Sequence, residues 1–339
     1  MIYMDAAASS LKPGAVIDAE TLFLSKNYAN AGRGVCARAT AADDMVHNTR
    51  KFVAENIGAE SPDQVIFTFN ATDGLNRVAR ILAGKTVIVS DIDHHSARLP
   101  FESHCKTIAA PLTESLCYDW DEIRKVKADA IVITAMSNVL GALVDIPDDL
   151  PFITIIDASQ HIVHQRPDVK NYDYFIFTAH KVGADTGLGI LYQKNPPEPI
   201  NFGGGMYKAK GAAMFEAGTL PLTQIAGLRL AMENLDATRG DTHKKIIKLR
   251  EGLALNPKIK FISPADASLI SFTVDGMNYL DFGMLMGAKD VCMRVGNMCA
   301  SWIHNRLGIA GSCRLSLGFW NTDDEIDEVL SVIKVISNK

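Results

Sequence analysis

Short apolar runs alternate with helical patterns along residues 65 to 193. Several runs are continuous stretches of valine, isoleucine and phenylalanine, as expected for strands buried on both faces of a sheet. They predict strands at 65–70, 86–91, 130–137, 152–159, 173–180 and 187–193. Between them lie helical patterns such as 73–84, with Leu75, Val78 and Leu82 at helical spacing. The alternation predicts an α/β fold with a doubly wound, mostly parallel sheet and a ligand site at the carboxyl ends of its strands.

The pattern of hydrophobic and polar residues changes after about residue 222. Residues 223–253 have the spacing of one or two long amphipathic helices. Beyond them the pattern predicts a smaller α+β unit, with a strand at 268–274, a helix at 279–289, a strand at 312–320 and a closing helix. Thr322 and Glu325 form a capping box at the start of that last helix. We therefore expect a large α/β domain at 14–230 and a smaller α+β domain formed by 1–13 and 231–339.

Composition and charge narrow the classes of function. The 339 residues are 47% hydrophobic and 22% charged, an ordinary mix for a soluble globular protein. A net charge of -5 without any block of lysine or arginine argues against a nucleic-acid partner or an anionic membrane surface. No apolar run is long enough to span a membrane, no signal-peptide pattern occurs, and the 6 cysteines include no CxxC pair. We expect a cytoplasmic protein with reduced thiols.

Polar side chains collect where the predicted strands end. Strand 65–70 runs into Ala71 and Thr72 at the start of a helix, whose free N–H groups suit a phosphate-sized anion. Alternatively, Thr72 is only the N-cap of that helix. The later strands end in or near further polar residues: His94, Asn138, Asp157, Gln160 and Lys181. Because the carboxyl ends of parallel strands meet at one edge of a sheet, we expect these side chains to face one another.

This set contains the parts that a pyridoxal phosphate enzyme needs. A lysine holds the cofactor's aldehyde as a Schiff base, and a buried carboxylate keeps its pyridine nitrogen protonated, so that the ring withdraws electrons. Lys181 and Asp157 are the candidates for these two roles, and His94 is a candidate for the ring that stacks on the pyridine. Each residue taken alone has an ordinary interpretation, since a lysine is usually a solvated surface residue. The ordered set favours the cofactor site.

Motifs from end to end of the chain carry a family resemblance: YMDAAASSLKP, NAGRGV, FTFNATDGLNRVA, DIDHHSARLPF, MSNVLG, IDASQ, TAHKVGADTGLGILY, GGGM, FEAGT, MRVGNMCA and CRLSLGFWNTDDEID. The chain resembles class-V aminotransferase-type enzymes that depend on pyridoxal phosphate, and within them the cysteine desulfurase and selenocysteine lyase family. The lysine motif and FEAGT are typical of the wider superfamily. The pattern R-x-G-x-x-C-A, from Arg294 to Ala300, is typical of the sulfur-handling branch.

The resemblance implies roles around the cofactor. Lys181 resembles the Schiff-base lysine, Asp157 the partner of the pyridinium nitrogen, and His94 the stacking histidine. Gln160 and Asn138 would lie near the ring hydroxyl. The phosphate would be held by residues of two subunits of a homodimer, namely Ala71, Thr72, Thr178 and His180 of one subunit, with Gly218 and Thr219 of its neighbour.

The same resemblance implies a substrate and a nucleophile. Arg314 resembles the arginine that binds the substrate carboxylate, with Asn138 beside the substrate and Arg294 as a second basic residue near the entrance. Cys299 lies at the position of the sulfur-accepting nucleophile, and its short spacing to Arg314 resembles the branch with a compact cysteine loop. The expected reaction converts L-cysteine to L-alanine. Sulfur passes to Cys299 as a persulfide and on to an acceptor protein, for iron–sulfur cluster assembly or related sulfur trafficking.

Several positions depart from the family pattern. Segment 32–36 lacks the two histidines of the frequent motif His-Arg-Gly-x-His, and Asn297 and Met298 stand where two histidines often precede the cysteine. Asp5 opens the sequence D-A-A-A-S instead of D-N-A-A-T. These departures leave the cofactor residues intact. They leave open the substrate, the acid–base partners of Cys299 and the acceptor protein.

Other functions remain open. Transamination, racemisation, selenocysteine cleavage or β-elimination by the same family would make Cys299 a bystander, and an isolated cysteine is more often inert than nucleophilic. A metal-dependent hydrolase would draw its ligands from Asp93, His94, His95, His161 and His164. That alternative leaves Lys181 and Asp157 unexplained, and a non-enzymatic scaffold leaves the whole set of polar strand ends unexplained.

Overall fold

The structure, a computed structural model, describes residues 1–32, 34–206 and 208–337. Its strands, in chain order, are β1 (Ile2–Tyr3), β2 (Val65–Thr68), β3 (Thr86–Val89), β4 (Lys106–Ala109), β5 (Ala130–Thr134), β6 (Ile153–Asp157), β7 (Tyr174–Thr178), β8 (Gly189–Gln193), β9 (Ile259–Phe261), β10 (Ile270–Val274), β11 (Val291–Cys292), β12 (Arg294–Gly296) and β13 (Ser312–Leu315). Its α-helices are α1 (Gly14–Leu22), α2 (Ala37–Ile57), α3 (Ala71–Ile81), α4 (His95–His104), α5 (Trp120–Ile123), α6 (His161–His164), α7 (Leu222–Ala254), α8 (Tyr279–Gly287), α9 (Ser301–Arg306) and α10 (Asp323–Ser337). Single π or 3₁₀ turns lie at Phe23–Asn27, Pro62–Gln64, Ala179–Lys181 and Gly211–Phe215.

A sheet of 7 strands forms the centre of the described part of the chain. Its order is β2-β8-β7-β6-β5-β3-β4, and every neighbouring pair from β7 to β4 is parallel. Only β8 breaks the pattern within the described ranges, running antiparallel to both β7 and β2. The predicted mostly parallel α/β sheet is confirmed. The edge strand β4 escaped prediction because all its residues are exposed and its sequence, KTIA, has no continuous apolar run.

The central strands are buried on both faces, as their apolar sequences predict. Every residue of β5 and β7 is buried. Helix α3 packs on one face through Leu75 and Val78. The Asn70 side chain caps this helix, since its Oδ1 accepts the N–H of Asp73 at 2.9 Å. The alternative that Thr72 is the N-cap is therefore wrong.

A second sheet of 4 antiparallel strands, in the order β12-β13-β10-β9, has its own hydrophobic core. Ile2 and Met4 of the N-terminal segment belong to this second core. Helix α7, for which the sequence allowed one or two helices, is a single helix of 33 residues whose two halves contribute to the two cores. Ala300 and Ile303 belong to the main core, although they lie in the predicted smaller domain. The domain limits themselves remain a prediction.

The strand ends position the side chains of the site. Strand β7 ends at Thr178 and not at His180, because Ala179–Lys181 form a 3₁₀ turn. This turn carries Lys181 beyond the sheet, next to the end of the parallel neighbour β6 at Asp157. Residues that follow β5, β6 and β7 therefore meet at one edge.

The long helices show two further features. Helix α10 begins with the predicted capping box, in which Thr322 Oγ1 accepts the N–H of Glu325 and Glu325 Oε2 accepts the N–H of Thr322. Across the described ranges, no helix combines the length and the apolar character that crossing a membrane requires.

Candidate active site

A cavity of about 330 Å³ opens at the carboxyl edge of the central sheet. It is bounded by the strand ends and by residues from outside the central sheet, namely Ala7, Ala8, Arg294, Met298, Cys299 and Arg314. The predicted site residues that line it are Ala71, Thr72, His94, Asn138, Asp157, Gln160, Thr178, His180, Lys181, Arg294, Cys299 and Arg314. Two predicted residues, Gly218 and Thr219, do not line it.

Lys181 lies half-buried on the 3₁₀ turn after β7. Desolvation lowers the pKa of its ammonium group to about 8, since burial and the nearby Arg314 outweigh the opposing effect of Asp157. An amine with such a pKa is uncharged far more often at neutral pH than a surface lysine. It is therefore suited to act as a nucleophile or a proton acceptor.

Asp157 is a buried carboxylate at the end of β6. Its Oδ1 accepts the N–H of Ser159 at 3.0 Å, so the side chain is fixed from one side. The next polar residue, Gln160, donates from Nε2 to the main-chain oxygen of Ala7 at 2.8 Å. The first contact fixes the Asp157 carboxyl group in the cavity wall, and the second ties the N-terminal segment to the strand end.

His94 is the residue that precedes helix α4 and caps it. Its Nδ1 accepts the N–H of Ser96 at 3.2 Å and lies 2.7 Å from the Ser96 hydroxyl oxygen. Because a main-chain N–H can only donate, Nδ1 is the unprotonated ring nitrogen and Nε2 carries the hydrogen. Burial, and then the positive charge of Lys181, lower the pKa of His94 to about 4. The ring is therefore neutral at physiological pH.

Hydrogen-bond donors gather at one end of the cavity. The first turn of α3 presents main-chain N–H groups at Ala71 and Thr72 that have no partner within a helix. Facing them, the Thr178 hydroxyl lies 2.9 Å from Nδ1 of His180. Burial lowers the pKa of His180 to about 4. A helix amino terminus with a hydroxyl and an imidazole is a suitable place for a phosphate group.

Two arginines also line the cavity, Arg294 and Arg314, and both pair with one aspartate, Asp5. Arg314, which is 2% exposed, donates from Nη2 to Asp5 Oδ1 at 2.9 Å and from Nη1 to the main-chain oxygen of Asn138 at 2.9 Å. Arg294 pairs with the other Asp5 oxygen at 2.8 Å. The two arginines lie opposite each other on β12 and β13, so Asp5 compensates a like-charge pair. Burial lowers the pKa of Arg314, and Asp5 opposes this shift.

Cys299 lies in a short segment between β12 and α9, and its side chain is exposed toward the cavity. Both Met298 and Cys299 have left-handed backbone conformations, with φ of 52° and 54°. The main-chain oxygen of Met298 accepts from Asn138 Nδ2 at 2.8 Å, and that of Cys299 accepts from the N–H of His95 at 2.7 Å. The segment is thus anchored at both carbonyl groups.

The remaining predicted residues lie elsewhere. Gly218 has a φ of 96°, and its N–H donates to the oxygen of Gly204 at 2.7 Å, while Thr219 is exposed. Cys36 is also exposed. Arg33, within the motif NAGRGV, lies outside the described residues. The expected contact of Gly218 and Thr219 with a neighbouring subunit stays a prediction.

The candidate metal ligands do not share a common site among the described residues. The buried Asp93 accepts from the Ser90 N–H and the Thr134 hydroxyl at 2.7 Å each, and burial raises its pKa to about 7. Burial lowers the pKa of His161 to about 4 and that of His164 to about 3. Within the described ranges, no group of three or more such side chains is arranged to hold a metal ion. The metal-hydrolase alternative gains no support from this geometry.

Several residues of the cavity were not among the predicted ones. Ser96 and Ser159 fix His94 and Asp157, and each follows its partner by two positions within a motif that carries the family resemblance. Asp5 does not line the cavity but pairs with both lining arginines, and it matches the first residue of the family motif, to which no role was assigned. Asn70, Thr134, Met136 and Met298 also line the wall. Met298 is noted above only as a departure from the family pattern, and Asn70 and Met136 lie in motifs of the resemblance without an assigned role. Nothing in the sequence distinguishes Thr134 from the other residues of its buried strand.

Known proteins resemble this chain over nearly its whole length. The family model described as aminotransferase class-V matches residues 2–329. A cysteine desulfurase of Salmonella agona (strain SL483) is 29% identical over 377 aligned positions, which cover 98% of this chain and 92% of the relative. The alignment is longer than this chain of 339 residues, so the chain is shortened relative to that protein.

Solved structures show the same relationship. An apo cysteine desulfurase from Thermococcus onnurineus NA1 superposes with a TM-score of 0.93 at 26% identity, covering 99% of this chain and 94% of that one. The cysteine desulfurase CsdA from Escherichia coli gives 0.88 at 25% identity, with coverage of 98% and 94%.

Proposed function

Because this chain belongs to the class-V aminotransferase family, we propose that it is a cysteine desulfurase that depends on pyridoxal phosphate. The observation that carries the proposal is the single cavity that joins Lys181 and Asp157 to the thiol of Cys299. A transaminase needs the first two residues but has no use for the third. The similarity to cysteine desulfurases over nearly the full length supports the same assignment.

The residues present fit pyridoxal phosphate. The cavity offers an amine of lowered pKa on Lys181, a buried carboxylate on Asp157, and donors at the start of α3 for a phosphate. Two buried polar atoms of lining residues, Asn138 Oδ1 and Arg314 Nε, lack a hydrogen-bond partner among the described residues. Such orphaned atoms are costly unless a ligand satisfies them. When bound, the cofactor supplies a covalent hold on the substrate amine and an electron sink next to Cα.

The protein's own groups would perform the proton transfer. We assign Lys181 to move the proton at Cα, because its lowered pKa of about 8 leaves part of the amine free as a base near neutral pH. Asp157 would hold the positive charge of the ring nitrogen, and the neutral His94 would stack on the ring without adding charge. Arg314 would bind the substrate carboxylate, using the buried Nε that has no described partner in the protein.

Cys299 would accept the sulfur. Its thiolate attacks the sulfur of L-cysteine, an S–S bond forms, and the C–S bond breaks with its electron pair remaining on carbon. Carbon then takes up a proton, which gives L-alanine and a persulfide on Cys299. Arg294 lines the same cavity, but Asp5 already balances part of its charge. The anchored loop around Cys299 means that an acceptor protein would have to approach the cavity mouth.

The assembly is part of the proposal as well. We expect a homodimer in which Gly218 and Thr219 contact the phosphate of the neighbouring subunit, since both lie away from this subunit's cavity. A cytoplasmic location agrees with the free thiols of the described cysteines. We also propose a division into a domain at 14–230 and a second at 1–13 and 231–339, which the presence of two separate hydrophobic cores supports.

The test is incubation of the cofactor-loaded protein with L-cysteine. We expect alanine in the solution and one added sulfur on the peptide that contains Cys299, measured by mass spectrometry. The second candidate is another reaction of the same family with Cys299 as a bystander. In that case a keto acid, or pyruvate with ammonia, would form instead, and the Cys299 peptide would gain no sulfur.

A further inference from the structure

We propose that His95 is a positioning residue that holds the Cys299 thiol in place relative to the residues expected to hold the cofactor, Lys181 and Asp157. The inference rests on the proposed function, in which Cys299 receives sulfur. It concerns a residue that does not line the cavity and that the mechanism above does not use.

Two separate contacts join His95 to the Cys299 segment. Its main-chain N–H donates to the oxygen of Cys299 at 2.7 Å. Its ring Nε2 lies 2.8 Å from the hydroxyl oxygen of Ser301 and accepts the N–H of Ser301 at 3.3 Å. The ring therefore satisfies one of the N–H groups that the start of α9 leaves unpaired. His95 therefore binds both neighbours of Ala300, namely Cys299 and Ser301.

The segment needs such support because its backbone conformation is unfavourable. Met298 and Cys299 are consecutive non-glycine residues at positive φ, a conformation that L-residues adopt at a cost in free energy. It persists only where surrounding contacts impose it. Asn138 binds the oxygen of Met298, but Cys299 itself is fixed by His95 and by the side chain of Asn297, whose Oδ1 accepts its N–H at 3.2 Å.

His95 is itself held in place by its position in α4 and by contacts of its ring. It is the first residue of α4, directly after His94, which lines the cavity. The ring stands edge-on to Trp302 with 5.1 Å between ring centroids, and the guanidinium of Arg98 covers Trp302 at 4.2 Å. One peptide unit thus connects the histidine expected on the cofactor ring with the histidine that fixes the sulfur-accepting residue.

Three substitutions of His95 retain both of its contacts with the Cys299 segment, one of them or neither. His95→Gln retains the main-chain N–H and offers a side-chain oxygen that can accept from Ser301. His95→Ala retains only the N–H. His95→Pro removes both, yet suits the first position of a helix, and His94 already has the extended backbone, φ -67° and ψ 150°, that a following proline requires. The exposed His47, replaced by alanine, is the matched control.

The first measurement is hydrogen exchange of residues 297–301 in the protein without cofactor. We expect wild-type rates for His95→Gln and His47→Ala. Exchange should be about tenfold faster for His95→Ala, because the amide of Ser301 loses its acceptor. It should be faster again for His95→Pro, because the oxygen of Cys299 then also loses its donor. Equal exchange in all variants would overturn the inference.

The second measurement is the single-turnover rate of sulfur addition to Cys299 in the loaded protein. We expect a decrease of about tenfold for His95→Ala and about a hundredfold for His95→Pro, with near-normal rates for His95→Gln and an unchanged cofactor absorbance. A similar loss of cofactor in all three variants would show a general structural role and overturn the inference. If the wild type forms no persulfide while the exchange pattern holds, the proposed function fails and the anchoring role stands.

Discussion

The cavity wall has two parts that are built in different ways. The first consists of the residues expected to hold the cofactor, here called the cofactor end, and the second of the residues around Cys299 and Arg314, here called the sulfur end. At the cofactor end, the contacts of Asp157 and Thr178 are local, since Asp157 binds Ser159 and Thr178 binds His180, each two residues along the chain. Gln160 is the exception, because it binds Ala7, which is 153 residues away. At the sulfur end, the contacts of the arginines and of the Met298 carbonyl are distant in sequence, whereas the N–H of Cys299 binds the nearby Asn297. Asp5 and Arg314 are 309 residues apart, and Asn138 and Met298 are 160 apart.

The difference shows which parts of the fold each end of the site depends on. Most of the cofactor end follows from the central sheet, because parallel strands deliver their last residues to one edge, whereas Gln160 also depends on the N-terminal segment. The sulfur end forms only when the N-terminal segment and the second sheet pack beside that edge. We therefore expect a substitution at one end to leave the other end largely unaffected, and the following substitutions test this expectation.

The largest effect should come from Lys181→Ala, because both ends of the site depend on this amine. Lys181 is the only lysine among the described residues that line the cavity. We expect the visible absorbance of the bound cofactor to disappear and alanine formation to fall by about 10⁴-fold. Replacing the exposed Lys125 is the control. An unchanged spectrum in the Lys181 variant would contradict its assignment.

Cys299→Ala should separate the two ends. Lys181 and Asp157 are untouched, so the cofactor spectrum and its change on addition of cysteine should persist. Persulfide should be absent, and alanine formation without added reductant should fall by about 10²- to 10³-fold. The exposed Cys36, replaced by alanine, should behave as wild type. A Cys299 variant that turns over normally, yielding a keto acid or pyruvate, would instead support another reaction of the family.

The same difference explains what the sequence could predict. Buried strands reveal themselves as apolar runs, and the residues just beyond them, such as Asp157 and Lys181, could be assigned to one edge from the sequence alone. Asp5 and His95 could not be assigned in this way. Their functions depend on partners that are far along the chain, and no local pattern records such a contact. The exposed strand β4 was missed for a related reason, since its sequence lacks the apolar signal of burial.

The pKa of Lys181 predicts how fast the protein without cofactor takes up pyridoxal phosphate. Burial lowers this pKa to about 8, so the uncharged fraction of the amine rises as the pH rises through 8. Uptake followed by absorbance should therefore accelerate by about tenfold between pH 7 and pH 9 and then level off. A surface lysine, with a pKa near 10.4, would give a rate that continues to rise beyond pH 9. That outcome would show that Lys181 is solvated and not desolvated.

The smallest effect is expected from Asp5→Asn, which probes the sulfur end without touching a reacting group. Asp5 fixes Nη2 of Arg314 at 2.9 Å and balances Arg294, so the amide leaves two facing arginines without their counter-charge. Arg314 should then lose its fixed orientation, and KM for cysteine should rise by about fivefold with little change in kcat, because Lys181 and Cys299 keep their places. Asp185→Asn, which removes a half-exposed pairing with Lys12, is the control. A lower KM would mean that Asp5 competes with the substrate carboxylate for Arg314. A fall in kcat with unchanged KM would mean that the two ends are coupled through the N-terminal segment, and the comparison between a local and an assembled end would have to be abandoned.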